Sequence, residues 1–330
     1  VEKLCGILNI YKVINFTCTY ISDGLLYLYR VLYSFIQSYL LKIMQLSNDL
    51  KEFRTKWNLK TNNTFTLTSP KVMKNLKVSN APTLVLYLLP TVKACPAAGT
   101  CRKICLNTAG NPAYLNSKLK CRKRRNDAFM QDFNLFLRNL VLETIRFYSK
   151  NRDYSKLGLR LNGTSDYSWE NVPVTITSND SDYLLKQFNV YIEPIRYSSI
   201  LEAILKGLDT KLNQSISTKL IAYDYTKRID RDFKKCSKLN YHLTLSHGSK
   251  FDTLTKALEL KLNYAAAFDL KKSQEFPEYI EINGKKIYIF DADKTDFRPL
   301  DNNDKTYIAG LRIKRTPNQT KEQRLEFCLA

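Results

Sequence analysis

Between Phe53 and Asn126 the chain contains no aspartate and no glutamate, while 15 lysines and arginines fall in the same stretch. An acid-free segment of that length makes a polyanion the first partner to consider. Histidine is scarce too: His242 and His247 are the only two. No Ser-His-Asp order, phosphate-cradling P-loop or dinucleotide glycine fingerprint occurs, which disfavours hydrolase, ATPase and dehydrogenase chemistry. There is no CxxC pair, and Cys5, Cys18, Cys236 and Cys328 are scattered singly. A secreted disulfide framework is short and cysteine-dense, so these residues read as reduced intracellular thiols, in a host cytoplasm or an organelle such as a plastid.

Long uninterrupted apolar runs are also missing. The most apolar stretch, Gly24 to Met44, is broken by Arg30, Gln37 and Lys42. A membrane span needs about 20 predominantly apolar residues, so an interfacial or core-packing helix is expected and stable membrane insertion is not. The stretch lies too far in, and lacks the small-residue cleavage pattern, for a signal peptide. The first methionine is Met44, so residues 1–50 read as an apolar helical extension or as a translated leader ahead of a start at Met44. Residues 51–80, rich in Lys, Asn and Thr, read as a polar basic linker, and 81–330 as the main domain.

What is present fits a globular protein with an unusual charge. Hydrophobic residues make up 44% and charged residues 25%, but 52 Lys+Arg against 31 Asp+Glu leave a formal charge of +21. Nucleic acid is the natural polyanion, and Lys118, Lys120, Arg122, Lys123, Arg124 and Arg125 form the run expected to touch phosphates. Such charge gives affinity without sequence specificity, so it does not separate DNA from RNA. A solvated basic face is the plainer alternative.

From Thr83 onward short apolar runs alternate with helical stretches. Runs at Thr83–Leu89, Leu159–Asn162, Val190–Glu193, Leu220–Tyr223, Tyr241–Leu245, Tyr264–Phe268, Ile287–Phe290 and Tyr307–Gly310 read as strands. Apolar spacing predicts a helix over Asn126–Lys150, with others near Ser181–Phe188, Ser198–Leu208 and Leu254–Leu262. Nearly continuous apolar strands alternating with helices predict an α/β fold with a mostly parallel sheet, a complete or partial (β/α) barrel. Several strands run into polar residues: Asn162, Gly163, Thr164 and Asp166; Asp224 and Lys227; His247; Asp291, Asp293 and Asp296. In a parallel sheet these ends meet on one edge, where active sites assemble. One strand ending in Asp is ordinary turn chemistry; so many together predict a shared site.

The most specific feature is Cys95-Pro-Ala-Ala-Gly-Thr-Cys101-Arg-Lys-Ile-Cys105, directly after the first strand. Three close thiols can hold an iron–sulfur cluster and leave one position open. The location matches that of the three-cysteine cluster in radical S-adenosylmethionine (SAM) enzymes, although the C-x₅-C-x₃-C spacing differs from their commonest CxxxCxxC. On that reading the cofactors are a [4Fe–4S] cluster and SAM, with Asn162, Gly163 and Thr164 approaching the SAM amino end. Zinc, with Cys121 as a fourth ligand, is the alternative. His247, at a strand end beside Gly248, is a candidate for proton transfer.

Taken in order, Cys95…Cys101…Cys105-Leu-Asn-Thr-Ala-Gly110, Arg160–Asp166 with Trp169-Glu170, Tyr223–Lys227, Asn240–Thr244 and Asp291–Asp296 resemble the phage "gene product 88" domain family over about residues 80–315. The resemblance implies an origin in a mobile element and treats these motifs as one site; it carries no established activity. The functional expectation is an Fe–S, radical SAM-like redox enzyme acting on nucleic acid or a substrate associated with it. Asp166 and Asp224 would position substrate or SAM, and Lys227 and Arg298 would meet negative charge. The rivals are a non-enzymatic, zinc-stabilised DNA- or RNA-binding protein, and a metal-dependent phosphodiesterase using Asp291, Asp293 and Asp296.

Overall fold

The apolar runs become strands because turn residues bound them and both of their faces are covered. The computed structural model describes residues 27–34, 46–59, 63–67, 69–109, 112–209, 219–282, 284–301, 307–314 and 319–329. Eight strands form one sheet: β1 (Thr83–Val85), β2 (Leu157–Arg160), β5 (Leu220–Thr226), β6 (Tyr241–Ser246), β7 (Tyr264–Phe268), β8 (Tyr279–Ile282), β9 (Lys285–Asp291) and β10 (Ile308–Arg312). A separate antiparallel pair, β3 (Val174–Thr175) and β4 (Arg196–Tyr197), lies outside it.

The sheet order is β1-β2-β5-β6-β7-β10-β9-β8. Every neighbouring pair is parallel except β8 with β9. The α/β, mostly parallel expectation therefore holds. β1 and β8 end the order and do not pair with each other, so among the described residues the sheet is open and does not close into a barrel. From β1 to β7 the spatial order follows the chain order. Right-handed crossovers then place successive helices on one face and leave the other face to line a cavity.

Alternation within the strands sorts the side chains accordingly. Leu245, Tyr264, Ala266 and Phe268 pack with Ala257 of α8 (Thr253–Leu260). Ala265, Ala292 and Ala309 cluster with Tyr225, Phe290 and Leu311 on the other side. Small residues there keep space open. Val190–Glu193 is not a strand, although Val190 and Ile192 are buried, and the alternating Tyr279–Ile282 edge strand was not foreseen.

The expected linker over 51–80 is instead part of the body. It holds α1 (Asn48–Lys56) and α2 (Pro70–Ser79), and Leu50, Phe53, Leu59 and Phe65 are buried in the main core. Four apolar residues spaced among Lys and Asn were enough to dock the segment. The helix expected over Asn126–Lys150 is two: α3 (Leu115–Gln131) and α4 (Phe133–Lys150), broken at Asp132. That carboxylate accepts from Trp57 Nε1 at 2.6 Å and Lys56 Nζ at 2.7 Å, so α1 holds the break. Also present are α5 (Ser178–Phe188), α6 (Ile200–Leu208), α7 (Phe233–Lys238) and α9 (Lys321–Phe327).

Leu46–Ala330 is one compact unit, and Val1–Gln45 is another. Of the N-terminal unit, residues 27–34 are helical, with Tyr27, Leu28 and Leu32 exposed. Residues 1–26 and 35–45 of the expected extension, including Met44, lie outside the described residues, and its last five, 46–50, belong to the main unit. Among those described, no helix is long and apolar enough to cross a membrane.

Candidate functional site

Strand β1 hands the chain to a long loop at the carboxyl end of the sheet, and β2 does the same beside it. The two turns are stitched together through the backbone. Gly163 N donates to Leu86 O at 2.9 Å, Thr164 Oγ1 to Leu88 O at 2.5 Å, and Asp166 N to Ala94 O at 2.9 Å. On the far side, Gly99 N and Cys101 N both donate to Gly248 O, at 2.9 and 3.2 Å, beyond β6. The cysteine loop is thus clamped between the turns after β2 and β6. Gly163 is required by this approach: a Cβ there would lie 2.6 Å from the Tyr87 ring and 2.7 Å from Leu86 O. Gly163→Ala is expected to destabilise the fold by about 1–3 kcal/mol, as overpacking does, read as a shift of the denaturation midpoint.

The strand ends surround a cavity of about 320 Å³. Cys95, Cys101 and Cys105 line it, with Asn162, Gly163, Thr164 and Asp166 from the turn after β2. Lys227 and His247 enter from the ends of β5 and β6, Asp293 and Asp296 follow β9, and Arg312 ends β10. Ala265 and Ala267 are also in the lining. Most of the residues expected to share a site do so. Asp224 and Asp291 do not line the cavity, and neither does Cys121.

The described cysteines are all free thiols. Burial, then the nearby Asp166 and the neighbouring thiols, pushes Cys95 up to about 12. Burial also raises Cys105, against the pull of Lys227 and Arg122. Neutral thiols of this kind are poor nucleophiles, so nucleophilic cysteine chemistry is not favoured. As metal ligands they would release their protons on binding. Among the described residues no three His, Cys, Asp or Glu side chains meet at the spacing one metal ion imposes. By donor chemistry, three soft thiolates suit either a zinc ion or an iron–sulfur cluster.

Asp166 is buried yet well supplied with donors: Thr226 Oγ1 at 2.7 Å, Lys227 N at 2.8 Å and Arg231 Nη1 at 3.4 Å. Burial raises its pKa while Arg231 opposes the rise. Lys227 Nζ donates to Ser246 Oγ at 2.8 Å. His247 Nδ1 meets Tyr264 OH at 2.9 Å, and its pKa is lowered by burial and by Lys227. Both effects disfavour the charged imidazolium. His242 lies away from the cavity and is driven down to about 4 by burial.

Asn162 serves the turn itself. Its Oδ1 accepts from Ser165 Oγ, Tyr167 N and Trp169 Nε1 at 2.9–3.0 Å, and its Nδ2 donates to Tyr167 O. Asp224 has a similar duty behind the wall. It accepts from Asn162 N at 2.8 Å, Leu161 N at 3.2 Å and Tyr241 OH at 2.7 Å, with Arg160 at 3.7 Å. The substrate-positioning role expected of it gives way to this one because β5 runs on to Thr226, so Asp224 lies inside the strand on the face opposite Tyr225.

Burial pushes Asp224 from 3.8 up to about 7. A raised folded-state value means a contribution complete below about pH 3.8 and lost as pH rises through about 7. Asp224→Asn should remove that component of the stability–pH curve. It should also cost about 1–3 kcal/mol at low pH, because an amide cannot accept from every donor present.

The acidic trio does not converge on a cation. Arg312 Nη1 reaches both Asp291 and Asp293 at 3.2 Å, while Asp296 pairs with the buried Arg160. Each carboxylate is already neutralised by arginine, so the metal-dependent phosphodiesterase arrangement is not formed. Arg298 is fully buried and donates to Ala292 O and Thr295 O, which ties the loop instead of meeting substrate charge.

The basic run on α3 also turns partly inward. Arg122 stacks 4.9 Å over Tyr87 and donates to Asn107 Oδ1 at 2.6 Å. Arg125 donates to Asn63 O and Phe65 O. Lys118 Nζ donates to Ala109 O, and Lys123 pairs with Asp127. Arg124 is half-buried, and Lys120 is exposed. Helical periodicity explains the split: positions 122 and 125 share the inward face, Arg122 meeting the loop after β1 and Arg125 the segment at 63–66.

Sequence reasoning missed Arg160, Arg231, Arg312 and Phe327. Arg160 carried a usable signal, a charge inside the apolar run Leu157-Gly-Leu-Arg-Leu161. Arg231 grips Glu170 with two bonds of 2.7 Å, both side chains fully buried. Phe327 of α9 packs 6.1 Å from the His247 ring and lines the cavity; nothing local in the sequence announces it.

The fold and site define a protein class: an open, parallel α/β sheet whose strand ends enclose a cavity lined by three thiols. Compared with known families, the chain matches the Gene product 88 family over residues 51–329, and it belongs to that family. The match takes in most of α1, from its fourth residue, and all of α9, and so extends beyond the motifs noted in the sequence. No curated protein and no solved structure matches the chain.

Proposed function

We propose that this Gene product 88 protein is a redox enzyme that carries a [4Fe–4S] cluster on Cys95, Cys101 and Cys105. A SAM-type ligand would occupy the cavity beside the cluster, and the substrate would be nucleic acid or a molecule associated with it. The observation that carries the reading is the convergence of the three thiols on one cavity at the carboxyl edge of an open parallel sheet. Bound there, the cluster would supply an electron and an iron position that no protein ligand fills.

The chain's own residues have definable tasks in this reading. Lys227 and Arg122 place positive charge near the thiols, offsetting the negative charge that three thiolates bring. The Asn162–Asp166 turn, fixed by its bonds to Leu86, Leu88 and Ala94, forms a rigid wall against which a ligand can be oriented. His247, beside Lys227 in the cavity wall, is placed to exchange a proton with a ligand there. The apolar Ala265–Ala267 lining excludes water.

The test is SAM cleavage by protein reconstituted anaerobically with iron and sulfide and then reduced. Wild type should release 5′-deoxyadenosine, and Cys105→Ala should not. A fully loaded wild type that neither cleaves SAM nor changes its spectrum on SAM addition would sink the SAM part of the reading while leaving the cluster standing.

A further inference from the structure

A second concavity lies at the opposite end of the sheet from the thiols. Its lining comes from the carboxyl end of α4 and the residues just beyond, Arg146, Ser149, Lys150 and Arg152, and from the second half of α5, with Tyr183 and Lys186. Its place in the fold follows from two bonds. Lys219 Nζ donates to Arg152 O at 3.0 Å, and Leu157 N donates to Lys219 O at 3.0 Å. Both contacts sit where β2 and β5 begin, whereas the thiols sit where the strands end. The two concavities share no residue.

Arg146, Lys150, Arg152 and Lys186 line this surface, and no Asp or Glu does. The plain explanation is that two helix carboxyl ends meet here and the cations neutralise their carbonyls. Arg152 does so in part, donating from Nη2 to Phe188 O at 3.1 Å. That explanation leaves cations over. Arg146 is paired with Glu143 at 3.5 Å, and the donors Ser149 Oγ and Arg152 Nε are enclosed by protein, out of reach of a ligand. Lys150 and Lys186 are exposed at the rim. The group that fits is an anion with several acceptor oxygens; the open shape and the chain's +21 charge favour a polymer of them.

We infer that this concavity is an anchoring site for the phosphodiester backbone of a nucleic acid, separate from the thiol-lined cavity. Phosphate oxygens accept from the Arg152 guanidinium, while Lys150 and Lys186 neutralise adjacent phosphates. The inference stands independently of the cluster, since none of its residues touches the thiols.

The experiment measures binding of a fluorescent 20-nucleotide single strand, as DNA and as RNA, by anisotropy at several salt concentrations. Lys150→Ser/Lys186→Ser should lower the slope of log affinity against log salt by about 2, one for each lost phosphate contact, with an unchanged melting temperature. Lys120→Ser/Lys123→Ser on α3 should leave a steeper slope than that pair does. No binding by wild type would overturn the inference. So would an unchanged slope, an equal loss in both variants, or a lowered melting temperature with the slope unchanged, which would mark the cations as helix-end neutralisers.

Discussion

Arg231→Met is expected to destabilise the protein by about 3–5 kcal/mol, the range for removing one partner of a buried ion pair. Arg231 is fully buried, holds both Glu170 oxygens at 2.7 Å and lies 5.5 Å from the Tyr241 ring centroid. Methionine keeps much of the volume and strands the Glu170 carboxylate. The double variant Arg231→Met/Glu170→Leu should recover much of the loss, because no unpaired charge then remains. Urea denaturation of both variants measures it. A single variant within about 1 kcal/mol of wild type would contradict the account, since such a loss is typical of a solvent-screened surface pair. Arg231 also reaches Asp166 Oδ1 at 3.4 Å, so the same change loosens one wall of the cavity.

The second large effect concerns loading. Cys101→Ala should abolish iron retention after anaerobic reconstitution and leave the fold of the metal-free chain intact. Cys101 is only half-buried, and its loop is held by backbone bonds to Gly248, which alanine preserves. Cys236→Ala is the control: that thiol is buried in α7, outside the cavity, and its loss should leave iron content unchanged. Equal iron in wild type and Cys101→Ala would mean that the metal is bound elsewhere.

How far the sequence could be read depended on which contacts are local. The parallel sheet was legible because runs such as Tyr264–Phe268 are short, apolar and followed by polar turns. The carboxyl-edge site was legible for Asp166, Lys227 and His247 for the same reason. Asp224 was misplaced because β5 extends three residues beyond Tyr223, and a strand reverses its facing at every residue. The break at Asp132 depends on Trp57 and Lys56, both distant in sequence, and the inward turn of Arg122 depends on Tyr87. The placement of β10 between β7 and β9 likewise follows from long-range pairing that no local pattern encodes.

The central proposal is that Cys95, Cys101 and Cys105, which line the cavity, hold an iron–sulfur cluster. Iron, sulfide and zinc analysis of the full chain purified without oxygen, with an optical spectrum of the same sample, tests it most directly. The account predicts iron and sulfide near four of each per chain, as a [4Fe–4S] cluster requires, with a broad charge-transfer band. About one zinc per chain, with neither iron nor sulfide, would contradict it.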